Sequence, residues 1–168
     1  MGQSNGVDAY IQHYPASLRA QVAQLVADNR LGEYLAARYS AVRHSVQSDP
    51  ALYVYAQQMK KQYMRQVASV DKVLYDARLD VLQHALGLNT AISRIQGGKL
   101  KAKKEIRIAG LFKEAPEPFL QMIVVHELAH LRVRDHDKAF YQLCQHMLPD
   151  YHQLEFDLRL WLIDRHKK

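Results

Sequence analysis

The chain has 168 residues, 48% apolar and 24% charged, a size and mix that suit one globular domain and exclude a fibrous or disordered polypeptide. Its lone cysteine, Cys144, excludes an intramolecular disulfide framework and any zinc site made of cysteines alone. The net charge of +6 is uneven: Arg94 to Arg107 holds six basic residues against Glu105, and a basic stretch of this kind suits nucleic acid or an acidic substrate.

The most apolar window, Phe119 to Val125, includes Gln121 and is far shorter than the roughly 20 residues a membrane span needs. The opening Met-Gly-Gln-Ser-Asn-Gly has neither a basic nor an apolar region of the secretory kind, so a cytoplasmic protein is expected.

In chain order, Leu18, Val22, Leu25 and Val26 recur at helical spacing and predict a helix over Pro15–Asn29. A second is expected from Leu31 to Val46. Asp49-Pro50 reads as a cap followed by proline in the first turn, opening a third helix to about Gln66. Val73–Leu79 fits a strand or a helical turn. Thr90–Ile95, the Gly97-Gly98 turn and Lys99–Ala109 read as two strands, the second alternating Lys99, Lys101 and Lys103 with apolar residues. A buried helix is expected from Glu117 to about Arg134, apolar on all sides at Met122-Ile123-Val124-Val125. Asp137–Met147 gives another, with Phe140, Leu143, Cys144 and Met147 on one face. Tyr151–Ile163 carries both a two-residue and a helical stripe and is assigned to helix on length. The expected architecture is one α+β domain over residues 1–168, with a helical part (1–68) and a catalytic core (70–168).

The buried helix contains His126-Glu127-Leu128-Ala129-His130. Residues four apart on a helix share a face, so His126 and His130 can bind one metal, Zn2+ by preference. Glu127, one position along, can reach a water at that metal and act as its base. Polar groups amid Val124, Val125, Leu128 and Leu131 are costly without a partner, and a metal supplies one. By chance a chain of this composition would hold such a pentad with a probability of roughly 2%.

A catalytic zinc needs a third protein ligand and an open position. His136, just past the expected helix end, is the first candidate, Glu155 the second, and His146 and His152 weaker ones. The metzincin zinc proteases use this spacing but turn on a glycine where this chain has Val133. Tyr151 and His152 are candidate donors to the oxyanion of peptide hydrolysis, Tyr151 being otherwise an ordinary core residue. Asp135 or Asp137 could orient a ligand histidine, and Asp137 equally suits a helix cap. Lys99, Lys101 and Lys103 can follow a phosphate backbone, though lysines also protect a sheet edge and no aromatic residue lies among them for base stacking.

The run Ile123 to Leu131, followed by His136, Phe140 and Leu148-Pro149-Asp150-Tyr151, resembles the YgjP-like metallopeptidases, relatives of the WLM and SprT-like proteases. The resemblance covers residues 70–163 and is tightest over 106–151; the first 68 residues resemble nothing nameable. The family's Trp-Gly-Ser stretch has no counterpart, since the only tryptophan is Trp161. The resemblance implies a zincin-like core, zinc on His126, His130 and His136, and Glu127 as catalytic base. The expected function is thus a zinc metallopeptidase acting on a protein or peptide. The alternative is a nucleic-acid-associated protein with a structural zinc, or a protease stimulated by DNA.

Overall fold

The computed structural model describes residues 9–67, 69–81 and 104–167. In chain order the elements are α1 (Ala16–Ala27), α2 (Leu31–Arg38), α3 (Asp49–Tyr63), β1 (Lys72–Asp76), β2 (Glu105–Ala109), a 3-10 turn (Gly110–Lys113), α4 (Glu117–Ala129), α5 (Lys138–Met147) and α6 (Tyr151–Lys167). This is a mixed helical architecture with a small sheet, in keeping with the α+β expectation. The chain forms two compact units, one of residues up to Val42 together with His152 onward, the other running from Arg43 to Tyr151. Among the described residues no helix is long and apolar enough to cross a membrane.

The first unit is helical. Helix α1 ends as expected near Asn29, which adopts φ 55°. Asparagine tolerates this left-handed conformation, and it lets Arg30 N–H reach the Leu25 carbonyl at 2.9 Å and Asn29 N–H the Val26 carbonyl at 3.1 Å. Helix α2 stops at Arg38, well short of the expected Val46. Beyond it, side chains take up backbone donors: Ser40 Oγ accepts from Val42 N–H at 3.1 Å and His44 Nδ1 from Val46 N–H at 3.1 Å. The unit's core gathers Ile11, Val22, Leu31, Leu35, Leu160 and Ile163. It also buries one carboxylate, Asp157, which accepts hydrogen bonds from Tyr34 Oη at 3.0 Å, Gln153 Nε2 at 3.2 Å and the Tyr39 hydroxyl, with the Arg38 guanidinium at 3.3 Å. Burial, and the bond to Asp157, push the Tyr39 hydroxyl above the ordinary tyrosine range.

In the second unit β1 and β2 pair in parallel, with Val73 opposite Ile106 and Tyr75 opposite Ile108. Those four residues are buried, so the two-residue alternation is realised. A parallel pair needs a long crossover, here residues 77–104. The expected Thr90–Ile95 strand and Gly97-Gly98 turn lie outside the described residues. At the strand ends the chains come close: a Cβ on Gly110 would sit 3.3 Å from Ala77 Cα.

Ser48, not Asp49, caps α3, accepting from Ala51 N–H at 3.2 Å. Asp49 lies one residue inside, where its carboxylate accepts from Tyr75 N–H at 2.9 Å and fastens the helix to β1. Helix α4 is buried without a break from Met122 to Ala129 and packs on β2, α3 and α5. That burial follows from a sequence apolar on every side.

Candidate metal centre

The centre is built where α4 ends. The helix terminates at Ala129, five residues before the expected Arg134, with His130 as its cap at φ −66°, ψ −15°. Two of the following bonds are of the tighter i→i+3 kind, from Leu131 N–H to the Leu128 carbonyl (3.0 Å) and from Arg132 N–H to the Ala129 carbonyl (3.0 Å), and Val133 N–H closes the turn on the Ala129 carbonyl at 2.9 Å. Arg132, Arg134 and Asp135 are exposed, so most of a further helical turn would have no buried face. The chain turns without a glycine and delivers His136 just ahead of Asp137, which caps α5 by accepting from Phe140 N–H at 3.0 Å.

This brings together His126, His130 and His136, whose ligand atoms all lie within 4.8 Å of one another. His130 Nε2 is 3.2 Å from His126 Nε2 and 2.9 Å from His136 Nε2. The three rings form a near-equilateral triangle, with centroids 4.8, 4.9 and 4.8 Å apart. Phe140, fully buried, lies against all three at 5.0, 4.5 and 5.0 Å. His126 and Glu127 are 4% and 2% exposed, while His130 and His136 are half-buried, so one side of the triangle faces outward.

The donor set fits a metal. Three nitrogens on a tetrahedral ion with bonds near 2.0–2.1 Å lie about 3.3 Å apart, close to the spacing found here. The outer ring nitrogens are also held: His126 Nδ1 lies 2.7 Å from Tyr151 Oη and His130 Nδ1 3.1 Å from the Val133 carbonyl. A carbonyl only accepts, so His130 carries its proton on Nδ1 and aims the Nε2 lone pair at the other two rings. A cation at their convergence turns that clash of lone pairs into coordination.

The other predicted residues stand outside the triangle of rings. Glu155 pairs with Arg159 at 3.1 Å. His146 packs edge-on to the Tyr63 ring at 5.8 Å, and His152 is exposed at the start of α6. Tyr151, expected as a donor to the reacting group, is wholly buried with its hydroxyl on a histidine. Lys99, Lys101 and Lys103 lie outside the described residues. Sequence reasoning missed the Val133 carbonyl, which no side-chain pattern announces, and the place of Phe140 beneath the rings, which its position in the motif foreshadowed.

A model of the YgjP-like metallopeptidase domain matches residues 35–160, most of the chain. The chain belongs to the YgjP-like family. The match extends into the helical part that resembled nothing nameable from the sequence. The chain is also 58% identical, over 153 residues and 91% of each protein, to a protein of Escherichia coli (strain K12) named UTP pyrophosphatase. No solved structure matches. Family and relative together mark the chain as an enzyme of the hydrolase class, with a three-histidine group able to hold a metal.

Proposed function

We propose that this protein is a zinc-dependent hydrolase that splits a nucleoside triphosphate, UTP first, into the nucleoside monophosphate and pyrophosphate. The observation that carries the chemistry is the convergence of three imidazole Nε2 atoms at one point, with Glu127 next to His126 on the same buried helix. An all-imidazole set suits zinc, and a zinc ion held by it would make a water acidic near neutral pH and offset negative charge at the attacked centre. Glu127 would be the base that takes a proton from the attacking water as its oxygen meets the α-phosphorus. The bond to the bridging oxygen breaks, pyrophosphate departs with the electron pair, and the proton on Glu127 passes to the leaving group or to solvent.

The choice of substrate rests on the UTP pyrophosphatase relative and is supported by charge. Arg132, Arg134 and Lys138 stand exposed around the turn carrying His130 and His136, and none has an ion-pair partner among the described residues. A triphosphate is the kind of ligand such guanidinium groups recognise.

The second reading is peptide hydrolysis on a zincin-like core by the same metal and Glu127, favoured by the family's metallopeptidase description. The two differ in substrate, not in how water is activated. Incubating zinc-loaded protein with UTP in one tube and a peptide library in another separates them. The triphosphate reading expects UMP and pyrophosphate in the phosphorus NMR spectrum and intact peptides. Cleaved peptides with intact UTP would replace it with the peptidase reading.

A further inference from the structure

We propose that His44 is an acid-opened clasp on the segment ahead of α3: its uncharged ring holds the Val46 N–H and the Phe112 carbonyl at once, and protonation of the ring undoes the Val46 half. Residues 41–47 form no helix or strand, so side chains hold the chain there. His44 Nε2 lies 2.8 Å from the Phe112 carbonyl in the turn Gly110–Lys113, and His44 Nδ1 lies 3.1 Å from Val46 N–H. Gln47 Nε2 adds bonds to the carbonyls of Lys113 at 3.0 Å and His44 at 2.9 Å. Tyr75 Oη donates to the Val46 carbonyl at 2.7 Å.

Each main-chain partner of the ring has a single role. A carbonyl only accepts, so Nε2 carries a proton and donates to Phe112. A backbone N–H only donates, so Nδ1 presents its lone pair to Val46. Gln47 Nε2 stands 3.5 Å from the same Nδ1, so donors of two residues face that nitrogen. The two bonds together require the neutral ring. A second proton on the ring can go only to Nδ1, where it would point at Val46 N–H, donor against donor. Val46 is buried, and its N–H would then have lost its acceptor, which is costly away from water.

The charged and titratable groups on the neighbouring elements are Lys113 and Glu114 at the turn, Arg43 beside His44 in the chain, Asp49 at the start of α3 and Tyr75 on β1. Lys113 Nζ stands over the Tyr75 ring at 5.1 Å, and the Asp49 carboxylate accepts from Tyr75 N–H at 2.9 Å. Among the described residues no carboxylate forms an ion pair with His44, so none there acts as counter-ion to the charged ring. Histidine is the side chain that gains a proton between neutral and mildly acid solution, which sets the range in which the clasp opens. The turn it holds leads from β2 into α4, and the clasp needs no metal at the three histidines.

The test is amide hydrogen exchange of the full chain read by NMR, with each rate corrected for the intrinsic effect of pH. Protection of the Val46 amide should fall about tenfold or more between about pH 7.5 and about pH 5.5. The Ala51 amide, held by Ser48 Oγ, serves as the control and should keep its protection. His44→Asn supplies the comparison: an asparagine oxygen can accept from the amide two residues on and does not titrate. In that variant Val46 protection should be the same at both pH values. Wild-type protection of Val46 that is unchanged by acid, or an equal acid loss in His44→Asn, overturns the inference. If the variant does not fold, the His44 ring shifts of wild type decide. Loss of Val46 protection in step with the charging of that ring supports the clasp, and a ring that charges while Val46 stays protected overturns it.

Discussion

That His126 and His130 stand together was legible because a 3.6-residue period puts them on one face of a buried helix, with Glu127 beside them. What could not be read was the other half of each histidine's environment. A main-chain acceptor such as the Val133 carbonyl has no signature in residue types, and Tyr151 looks like any core tyrosine until the fold brings it to His126. Changing Glu127 to Gln keeps the shape of the side chain and removes the base. It should lower turnover by about 10²- to 10⁴-fold while zinc content stays at the wild-type level; turnover near wild type would remove Glu127 from the mechanism. A second residue-scale consequence lies at the strand ends. Asp76 accepts from the Arg78 guanidinium and backbone N–H and from Arg107 Nη1 at 2.7 Å, and these bonds hold its carboxyl well below the usual carboxylate range. A carboxyl depressed by folding adds stability above the unfolded-state pKa and loses it as pH falls through the folded-state value. Unfolding curves should therefore show stability declining below about pH 4, and Asp76→Asn should shallow that decline.

Elements were legible where a pattern was long and one-sided. Helices α1 and α5 lie where periodicity put them, α4 where an unbroken apolar run did, and α6 where length decided between two competing stripes. Their ends were less so, because ends are decided by individual hydrogen bonds. Ser40 and His44 stop the chain from continuing α2, and Ser48 takes the capping position expected of Asp49. The strands were visible but their pairing was not, since a period of two is the same in parallel and antiparallel sheets and the crossover decides between them. The step from α4 to α5 matters most to function, because it sets where His136 stands. Asp137 fixes that step by capping α5 one residue later. Replacing it with Ala should cost about 1 kcal/mol in denaturant unfolding. It should also weaken zinc binding measurably, since the start of α5 anchors the loop; unchanged stability would mean that the cap contributes nothing.

At the scale of the whole molecule, the chain closes its helical unit with its own last helix, pairing residues up to Val42 with those from His152 onward. A reading that moves along the sequence does not see such a pairing, because it joins segments more than a hundred residues apart. Helix α3, which the sequence grouped with the helical part, packs instead on β1. The positive charge is the other molecular property, and Arg132 and Arg134 place part of it beside the three histidines. With both changed to Ala, KM for UTP should rise about tenfold or more, with kcat and zinc content less affected. KM unchanged at low salt would show that these arginines do not meet the triphosphate. The most direct test of the central claim is a titration of metal-stripped protein with Zn2+ while pyrophosphate release from UTP is followed. No release is expected at the start, then a rise that levels off at about one equivalent of zinc per chain, and a flat line for His136→Ala. Release at full rate from the stripped protein, or a wild-type rise in His136→Ala, would contradict it.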